Sequence, residues 1–332
     1  MAGGLEKAGT GISVPPAYRD EPLTGIGCLV LGITFFSLQD VIMRLLSGSY
    51  PVHEVLFVRS LTAMPLFVAL VLATGSRRRL SPGSWPILTL RGGIVFTAST
   101  LYYLAIAALP LATCVSLYFT APLFVTVMSA AFLDEKVGIR RVSAILLGFL
   151  GALVVLAPGS ESFHWAAVLP IGAAICYAAS QTLTRRLGQS FDAPQLALFG
   201  NLGVLTAAAL SGLVLGHGGF AREDDRSLGF LLRAWALPGT HDLLLMMACG
   251  LIAFVGLTLL AQAYRVTRVT TVAPFEYTSL FWSVTYGFLL FSEVPSVRVV
   301  GGVALIIAAG LFVLFRERQL ALAARKAATA KG

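Results

Sequence analysis

Charged side chains are scarce in this sequence. Asp, Glu, Lys and Arg make up 12% of the 332 residues, whereas hydrophobic residues make up 57%. Soluble domains carry about 25% charged residues. The mean hydropathy is +0.84, and the apolar residues are gathered in runs of roughly 20, the length that crosses a bilayer. We therefore predict an all-α integral membrane protein and expect no nucleic-acid partner, despite the net charge of +8.

Sequence patterns of catalysis are also missing. There is no GxxxxGK[ST] loop, no HExxH helix and no GxSxG turn. The four cysteines have no CxxC spacing, and the four histidines form no metal-binding pattern. We therefore expect no enzyme activity, no cofactor, no metal site and no ATPase subunit. A membrane-embedded transferase is a distant alternative, as is a channel or receptor.

Ten apolar windows are long enough to be transmembrane helices. Residues 1–22 are expected to be a disordered cytoplasmic tail, and residues 316–332 a basic cytoplasmic tail. The connections are short apart from one long polar loop at 216–240. The predicted helices span residues 23–46, 53–74, 86–108, 112–133, 140–157, 164–184, 195–215, 241–264, 270–291 and 297–315.

The distribution of Lys and Arg predicts the orientation. If the N-terminus is inside, 18 of the 24 Lys and Arg lie on the cytoplasmic side and only four on the other, while Arg44 and Arg59 lie within spans. The positive-inside rule then places both termini in the cytoplasm. We expect the protein in the inner membrane, where basic loops meet anionic lipid headgroups.

The sequence contains a weak internal duplication. Thr113–Glu135 aligns without a gap on Thr271–Glu293 when it is shifted by 158 positions. Helices one and two align with helices six and seven at an offset of 141, and the loop 216–240 supplies the difference. Five helices per half is an odd number, so the halves insert in opposite orientations, as in many secondary transporters. The two predicted repeats comprise residues 23–157 and 164–315.

A family resemblance rests on the ends of these repeats. The segment PLFVTVMSAAFLDE at 122–135, followed by ILLGFLGALVVL at 145–156, resembles the drug/metabolite transporter superfamily, specifically its ten-helix EamA-type members. The pattern recurs in the helix ending at Glu293 and in GGVALIIAAGLFVL at 301–314. Phe57-Val58-Arg59 is similar to the family's F-x-R, and APFEYTSLFW at 273–282 is most similar to riboflavin importers and S-adenosylmethionine uptake carriers.

The resemblance implies an architecture and a mechanism. Helices one to four and six to nine are expected to line a central cavity, with helices five and ten packed behind it. Transport is expected to proceed by alternating access.

Ionisable side chains at membrane depth cost about 2.5–3.5 kcal/mol each on insertion scales, so they are candidate functional residues. Glu276, near the start of helix nine, is predicted to bind a cationic part of the substrate or to carry a coupling proton, or else to be structural. Arg59 on helix two is predicted to recognise a carboxylate or phosphate, or else to hold an ion pair. Tyr277 and Trp282 are candidates for stacking on a flat ring, or else pack between helices.

Other polar residues within spans have two interpretations each. Asp40 and Arg44 stand four apart on helix one, the spacing of an ion pair, which is either structural or a gate. Asp40 is the second candidate for proton coupling. Gln39 and Asn201 are predicted to form hydrogen bonds in the cavity or between helices.

Helix breaks and helix ends add further expectations. Pro122 and Pro274 lie within spans and are either tolerated kinks or breaks that line a cavity. Glu135 and Glu293 end their helices near the interface. We expect these two carboxylates to meet basic residues of loops or to cap a neighbouring helix.

These observations together predict a secondary active transporter for a small polar organic metabolite. Uptake of riboflavin or S-adenosylmethionine is the leading candidate, and export of amino acids or related metabolites is the alternative. The energy source is expected to be a proton or substrate gradient, because no nucleotide-binding loop exists. The protein is expected to be a monomer or homodimer among membrane lipids.

Overall fold

A computed structural model describes residues 21–76, 84–132, 139–156, 164–187, 191–221, 224–266, 273–309, 311–312 and 319. Within these ranges the chain is helical with short connections and contains no strand, so the all-α prediction is confirmed. Almost all of each predicted terminal tail lies outside the described residues. Among the residues that the structure describes, seven stretches are long and apolar enough to cross a membrane.

The helices described here are numbered in chain order, and short 3₁₀ turns at Trp165–Val168 and Ala273–Tyr277 precede α7 and α11. They are α1 (Pro22–Leu46), α2 (Val52–Ala73), α3 (Trp85–Ala108), α4 (Leu111–Tyr118), α5 (Ala121–Phe132), α6 (Ile139–Leu156), α7 (Leu169–Leu187), α8 (Ala193–Leu215), α9 (Arg226–Leu232), α10 (Thr240–Val266), α11 (Thr278–Phe291) and α12 (Val297–Ala309).

The fourth predicted span is interrupted between α4 and α5. Proline has no N–H, so Pro122 cannot donate to the Tyr118 carbonyl four residues earlier. Phe119 and Thr120 form a turn at this point, and the Thr120 hydroxyl donates to the Leu117 carbonyl at 2.7 Å. The predicted ninth span is also irregular, since Ala273–Tyr277 is a 3₁₀ turn before α11 begins. Backbone irregularities therefore lie near both prolines.

The helices pack in related pairs. The helix α1 packs along α10, as α3 packs along α7, and α2 packs against α8. Small residues let the backbones approach closely. A Cβ on Gly92 of α3 would lie 2.7 Å from the Gly203 Cα of α8, and a Cβ on Gly151 of α6 would lie 2.8 Å from the Gly302 carbonyl of α12.

Part of the long loop covers one end of the bundle. We call residues 224–239 the lid and the end that they cover the lid end. The Ser227 hydroxyl donates to the Leu104 carbonyl at 2.8 Å, and Arg233 Nη1 donates to the Ser47 carbonyl at 2.9 Å. Phe230 is fully buried, and the Trp235 indole N–H donates to His53 Nδ1 at 2.5 Å. These contacts fix the lid on α1, α2 and α3.

Candidate functional site

Two adjacent polar residues of α1 contact two adjacent tyrosines of α3. The Tyr102 hydroxyl donates to Asp40 Oδ2 at 2.9 Å, and Gln39 Nε2 donates to the Tyr103 hydroxyl. The Gln39 side chain is only 1% exposed, and its buried Oε1 has no hydrogen-bond partner among the described residues. Since α1 and α3 face each other here, Gln39 and Asp40 point into the bundle.

Arg59 of α2 lies near this cluster. Its charge acts on both Asp40 and Tyr103. Within the described part of the chain, the Arg59 guanidinium makes no hydrogen bond or ion pair, and its Nε is buried without a partner. A guanidinium carries five N–H donors, and burying such a charge unpaired is costly. Among the described residues, therefore, Arg59 does not form the predicted structural ion pair.

Four tyrosines continue from this cluster across the bundle, and we call them the tyrosine strip. Ring centroids are 5.6 Å apart from Tyr103 to Tyr102, 5.0 Å from Tyr102 to Tyr118 and 5.9 Å from Tyr118 to Tyr177. Gln181 Nε2 donates to the Tyr177 hydroxyl at 2.6 Å. Tyr177 lies in the middle of α7 and is 38% exposed.

The tyrosine strip was missed in the sequence analysis. Membrane tyrosines are enriched at the interfaces, where they form aromatic belts. Tyr177 instead lies in the middle of α7, and Tyr118 lies at the interruption between α4 and α5. Tyrosines far from the ends of a predicted span are the sequence feature that indicates such a strip.

Glu276 and Tyr277 approach the strip from the other half of the chain. The Tyr277 ring stacks on Phe119, with centroids 5.0 Å apart and planes at 28°. Glu276 is partly buried, and its charge acts on Tyr118 and Tyr177. The two candidates for proton coupling therefore flank the same tyrosines, since Asp40 bonds to Tyr102 and also acts on Tyr118.

Two other predicted site residues make interhelical contacts. Trp282 stacks on Tyr286 at 5.4 Å and packs against an apolar cluster centred on Leu29. Asn201 Nδ2 donates to the Ser60 carbonyl at 2.9 Å and so joins α8 to α2. In this structure both side chains hold helices together, and Asn201 fixes the backbone next to Arg59.

Arg44 lies at the lid end, away from Asp40. Its Nη2 forms an ion pair with Glu293 Oε1, its Nη1 donates to the Leu109 carbonyl at 3.0 Å, and its guanidinium lies 4.4 Å from the Phe291 ring centroid. The predicted Asp40–Arg44 pair is therefore not formed. The physical reason is that Asp40 bonds to Tyr102, whereas Arg44 finds a carboxylate, a carbonyl and an aromatic face at the lid end.

Glu293 joins three elements at the lid end. One carboxylate oxygen pairs with Arg44 of α1, and the other accepts the Leu111 N–H at the start of α4 at 3.0 Å. The Glu293 N–H itself donates to the Gly287 carbonyl of α11 at 2.9 Å. Glu293 caps a neighbouring helix, as its position at a helix end predicts. Its counterpart Glu135 lies outside the described residues.

The profile of the EamA-like transporter family matches residues 23–157 and again residues 164–315. The chain belongs to this family. A crystal structure with 18% sequence identity shares the fold, with a TM-score of 0.59 over 90% of this chain and 98% of the solved one. No group of three metal-ligating side chains occurs in the described part of the chain.

Three similar transporters span nearly the whole chain. A riboflavin transporter of Vibrio cholerae is 27% identical over 301 residues, covering 90% of this chain and 95% of its own. An S-adenosylmethionine uptake transporter of Rickettsia felis is 25% identical over 297 residues, covering 90% and 94%. A pseudopaline exporter of Pseudomonas aeruginosa is 27% identical over 287 residues, covering 86% and 94%.

The family and its apolar helices together establish the class of the protein. It is a multi-pass membrane protein and a transporter of a small molecule, and it is not an enzyme. The resemblance to EamA-type transporters is thereby confirmed. The relatives include one uptake transporter and one exporter, so family membership alone does not give the direction of transport.

Proposed function

We propose that the protein is a secondary active transporter of the inner membrane that imports a ring-bearing, zwitterionic metabolite by alternating access. Both termini are cytoplasmic in this proposal, and the lid faces the outside. The excess of Lys and Arg on the side of the termini supports this orientation. The oligomeric state, monomer or homodimer, stays a prediction.

The proposal includes ten spans in two inverted repeats of five, residues 23–157 and 164–315. Support comes from equivalent residues that contact each other. Phe119 and Tyr277 are 158 positions apart and stack, and Ser60 and Asn201 are 141 positions apart and share a hydrogen bond. In a two-fold arrangement, equivalent residues meet only on the symmetry axis. Both pairs agree with the two sequence offsets.

Contacts away from that axis come in matching pairs. The close approach of Gly92 to Gly203 corresponds, after the two offsets are applied, to the approach of Gly250 to Thr62, where a Cβ on Gly250 would lie 2.8 Å from the Thr62 Cβ. Two close approaches between α6 and α12 also correspond to each other at the offset of 158. A Cβ on Gly148 would lie 3.3 Å from the Ala309 Cβ, and one on Gly151 would lie 2.9 Å from Ile306. Packing of α6 on α12 supports a position for both behind the cavity.

The lid end supports a state that is closed to the outside. Arg44 and Glu293 are only 14% and 15% exposed at their side chains, and Glu293 also holds the start of α4. The lid adds contacts to α1, α2 and α3. Substrate would then reach the tyrosine strip from the cytoplasmic end, and import would require the Arg44–Glu293 pair to open.

The residues around the strip indicate the substrate class. The main support is the Arg59 guanidinium, which has no hydrogen bond or ion pair among the described residues. It suits a carboxylate, because a planar guanidinium binds a carboxylate with two parallel hydrogen bonds. The tyrosine rings suit a flat base and a cationic group over a ring face. Asp40 and Glu276 suit an ammonium or sulfonium group. S-adenosylmethionine carries all of these groups.

Riboflavin is the second candidate. Its fused ring would stack on the same tyrosines, and a riboflavin transporter is among the similar proteins. Riboflavin has no carboxylate for Arg59, however, so it leaves the Arg59 charge without a partner. Export is the alternative direction, and the pseudopaline exporter among the relatives favours it. Gln39, Tyr277 and Trp282 belong to the proposed site in each case, with Asn201 positioning the backbone beside Arg59.

The experiment is uptake into proteoliposomes of S-adenosylmethionine, decarboxylated S-adenosylmethionine, riboflavin and amino acids. The native protein should accumulate S-adenosylmethionine and discriminate against the decarboxylated form. Arg59→Gln should lose that discrimination without loss of thermal stability, because Arg59 has no hydrogen-bond partner to lose within the described residues. Preferred uptake of riboflavin would overturn the substrate, and outward movement alone would overturn the direction.

A further inference from the structure

A second polar cleft lies at the lid end, outside the tyrosine strip. It has a volume of about 560 Å³ and lies between the end of α1, the helix α9 and the end of α11. Three arginines line it, Arg44, Arg226 and Arg233, and Asp225 is the one acidic residue among the described residues of its wall. The described lining therefore carries more positive than negative charge.

Donors of these arginines are available. Arg226 is exposed and makes no hydrogen bond or ion pair within the described ranges. Arg233 uses Nη1 on the Ser47 carbonyl, which holds its side chain across the cleft. A guanidinium has five N–H donors in a fixed fork, so each arginine keeps capacity for an anionic ligand.

Asp225 does not occupy these donors. Its Oδ1 accepts the N–H groups of Ser227 and Leu228 at the start of α9, and its Oδ2 accepts the Trp165 indole N–H at 2.6 Å. Burial would raise the pKa of Asp225, but the hydrogen bonds from Leu228, Trp165 and Ser227 lower it, and the net shift is downward. The carboxylate is thus ionised, and its hydrogen bonds join the start of α9 to Trp165.

We propose that this cleft binds a carboxylate or phosphate group, and that the bound anion competes with Glu293 for Arg44. Arg44 lines the cleft while its Nη2 pairs with Glu293, which lines the neighbouring cleft of about 220 Å³. An anion held by Arg226 and Arg233 offers Arg44 a second partner. Because Glu293 also holds the Leu111 N–H, this exchange loosens the contact between α1, α4 and the end of α11.

The ligand chemistry has two possible sources. A carboxylate or phosphate arrives either on a dissolved solute or on the headgroup of an anionic lipid. Binding itself does not depend on the proposed transport. Only its consequence, the opening of the lid end to an incoming solute, rests on the proposed function.

The test is calorimetric titration of citrate into the full-length protein in phosphatidylcholine nanodiscs. Charge-assisted hydrogen bonds contribute about 1.5–3 kcal/mol each, so Arg226→Gln and Arg233→Gln should each weaken binding roughly tenfold or more. Arg298→Gln is the matched control, since Arg298 lines a neighbouring cleft of about 220 Å³, and it should leave binding unchanged. Citrate binding that is absent, or that survives both cleft variants, overturns the site.

Competition is tested separately. Glu293→Gln frees Arg44 and should strengthen citrate binding several-fold, whereas Asp224→Asn removes one exposed negative charge beside the cleft without touching Arg44. Equal effects of the two variants would overturn the competition. Nanodiscs that contain phosphatidylglycerol distinguish the sources. Loss of citrate binding there assigns the site to lipid headgroups, unchanged binding assigns it to a solute, and no citrate binding in either nanodisc overturns the proposal.

Discussion

Phe119 and Tyr277 stack with their ring centroids 5.0 Å apart, and each lies at a helix irregularity, Phe119 in the turn after α4 and Tyr277 at the end of the 3₁₀ turn before α11. The two residues are 158 positions apart, which is the offset of the internal duplication. The contact therefore joins the turn after α4 to the 3₁₀ turn before α11, at positions that the sequence offset makes equivalent, beside the tyrosine strip. In the proposed inverted repeat, a movement of one half relative to the other would change this contact.

Exchanging the two rings should therefore be tolerated, whereas removing either should not. The double variant Phe119→Tyr/Tyr277→Phe keeps both rings and should transport at close to the native rate. An aromatic pair contributes about 0.5–1.5 kcal/mol beyond its buried area, so Phe119→Ala or Tyr277→Ala should lower thermal stability and slow transport by up to about tenfold. Uptake rates and unfolding temperatures in detergent measure both effects. Native-like transport by either alanine variant would contradict the role of the contact.

Glu276 is expected to carry the coupling proton. Glu276→Gln keeps the shape and hydrogen-bonding capacity of the side chain but cannot exchange a proton, so accumulation driven by a pH gradient should be lost while solute exchange continues. Accumulation against a gradient and exchange at equal concentrations are measured on the same proteoliposomes. Asp40→Asn is the matched variant on the other side of the strip. If Asp40→Asn alone abolishes accumulation, the proton belongs to Asp40, whose partner is Tyr102.

Parts of this arrangement could be predicted from sequence and others could not. Hydropathy gives the helical membrane class, because apolar runs of this length have no alternative in a bilayer. The spacing of Asp40 and Arg44 shows only that they share a helix face. It says nothing of Glu293, which lies 249 positions away and provides the actual partner. Such a contact depends on how α1 and α11 pack.

The tyrosine strip shows the same limit. Tyr102, Tyr118 and Tyr177 lie in separate helices, and each alone is typical of packing in a membrane span. Only tertiary structure brings the Tyr118 ring within 6 Å of the other two. Trp282 is similar, since its stacking on Tyr286 is visible only in the folded chain.

Removal of Arg44 should open the lid end. The buried Cys114 of α4 lies near both Arg44 and Glu293 and provides a native reporter. We expect a membrane-impermeant maleimide, added to intact cells, to leave Cys114 unlabelled in the native protein and to label it in Arg44→Gln. Breaking a buried ion pair costs about 3–5 kcal/mol, enough to shift a two-state equilibrium of this kind. The other three cysteines are replaced by serine for this measurement.

Two further variants test whether the labelling reports on the Arg44–Glu293 pair. The charge reversal Arg44→Glu/Glu293→Arg restores an ion pair and should restore protection of Cys114, while Arg298→Gln removes a nearby arginine and should not expose it. Labelling that is equal in Arg44→Gln and the native protein would mean that the pair does not close this end.

The closing pair at the lid end also has counterparts in sequence. The offset of 141 places Arg44 on Arg185, and the offset of 158 places Glu135 on Glu293. The side chains of Arg185 and Glu135 lie outside the described part of the chain, so their pairing is a prediction from the duplication alone. In an inverted repeat, the contact that closes one end of the transporter has an equivalent that closes the other end, and the two form alternately.

Glu135→Gln and Arg185→Gln should therefore bias the protein in the direction opposite to Arg44→Gln. Weakening the contact that closes the cytoplasmic end raises the population of the state that is closed to the outside. Cys114 should therefore be protected even in the Arg44→Gln background. Removing one member of each pair should return the balance between the two states toward the native value, because each change shifts the same equilibrium with opposite sign. Cys114 labelling that is as strong in Arg44→Gln/Glu135→Gln as in Arg44→Gln would separate the two pairs and contradict a symmetric mechanism.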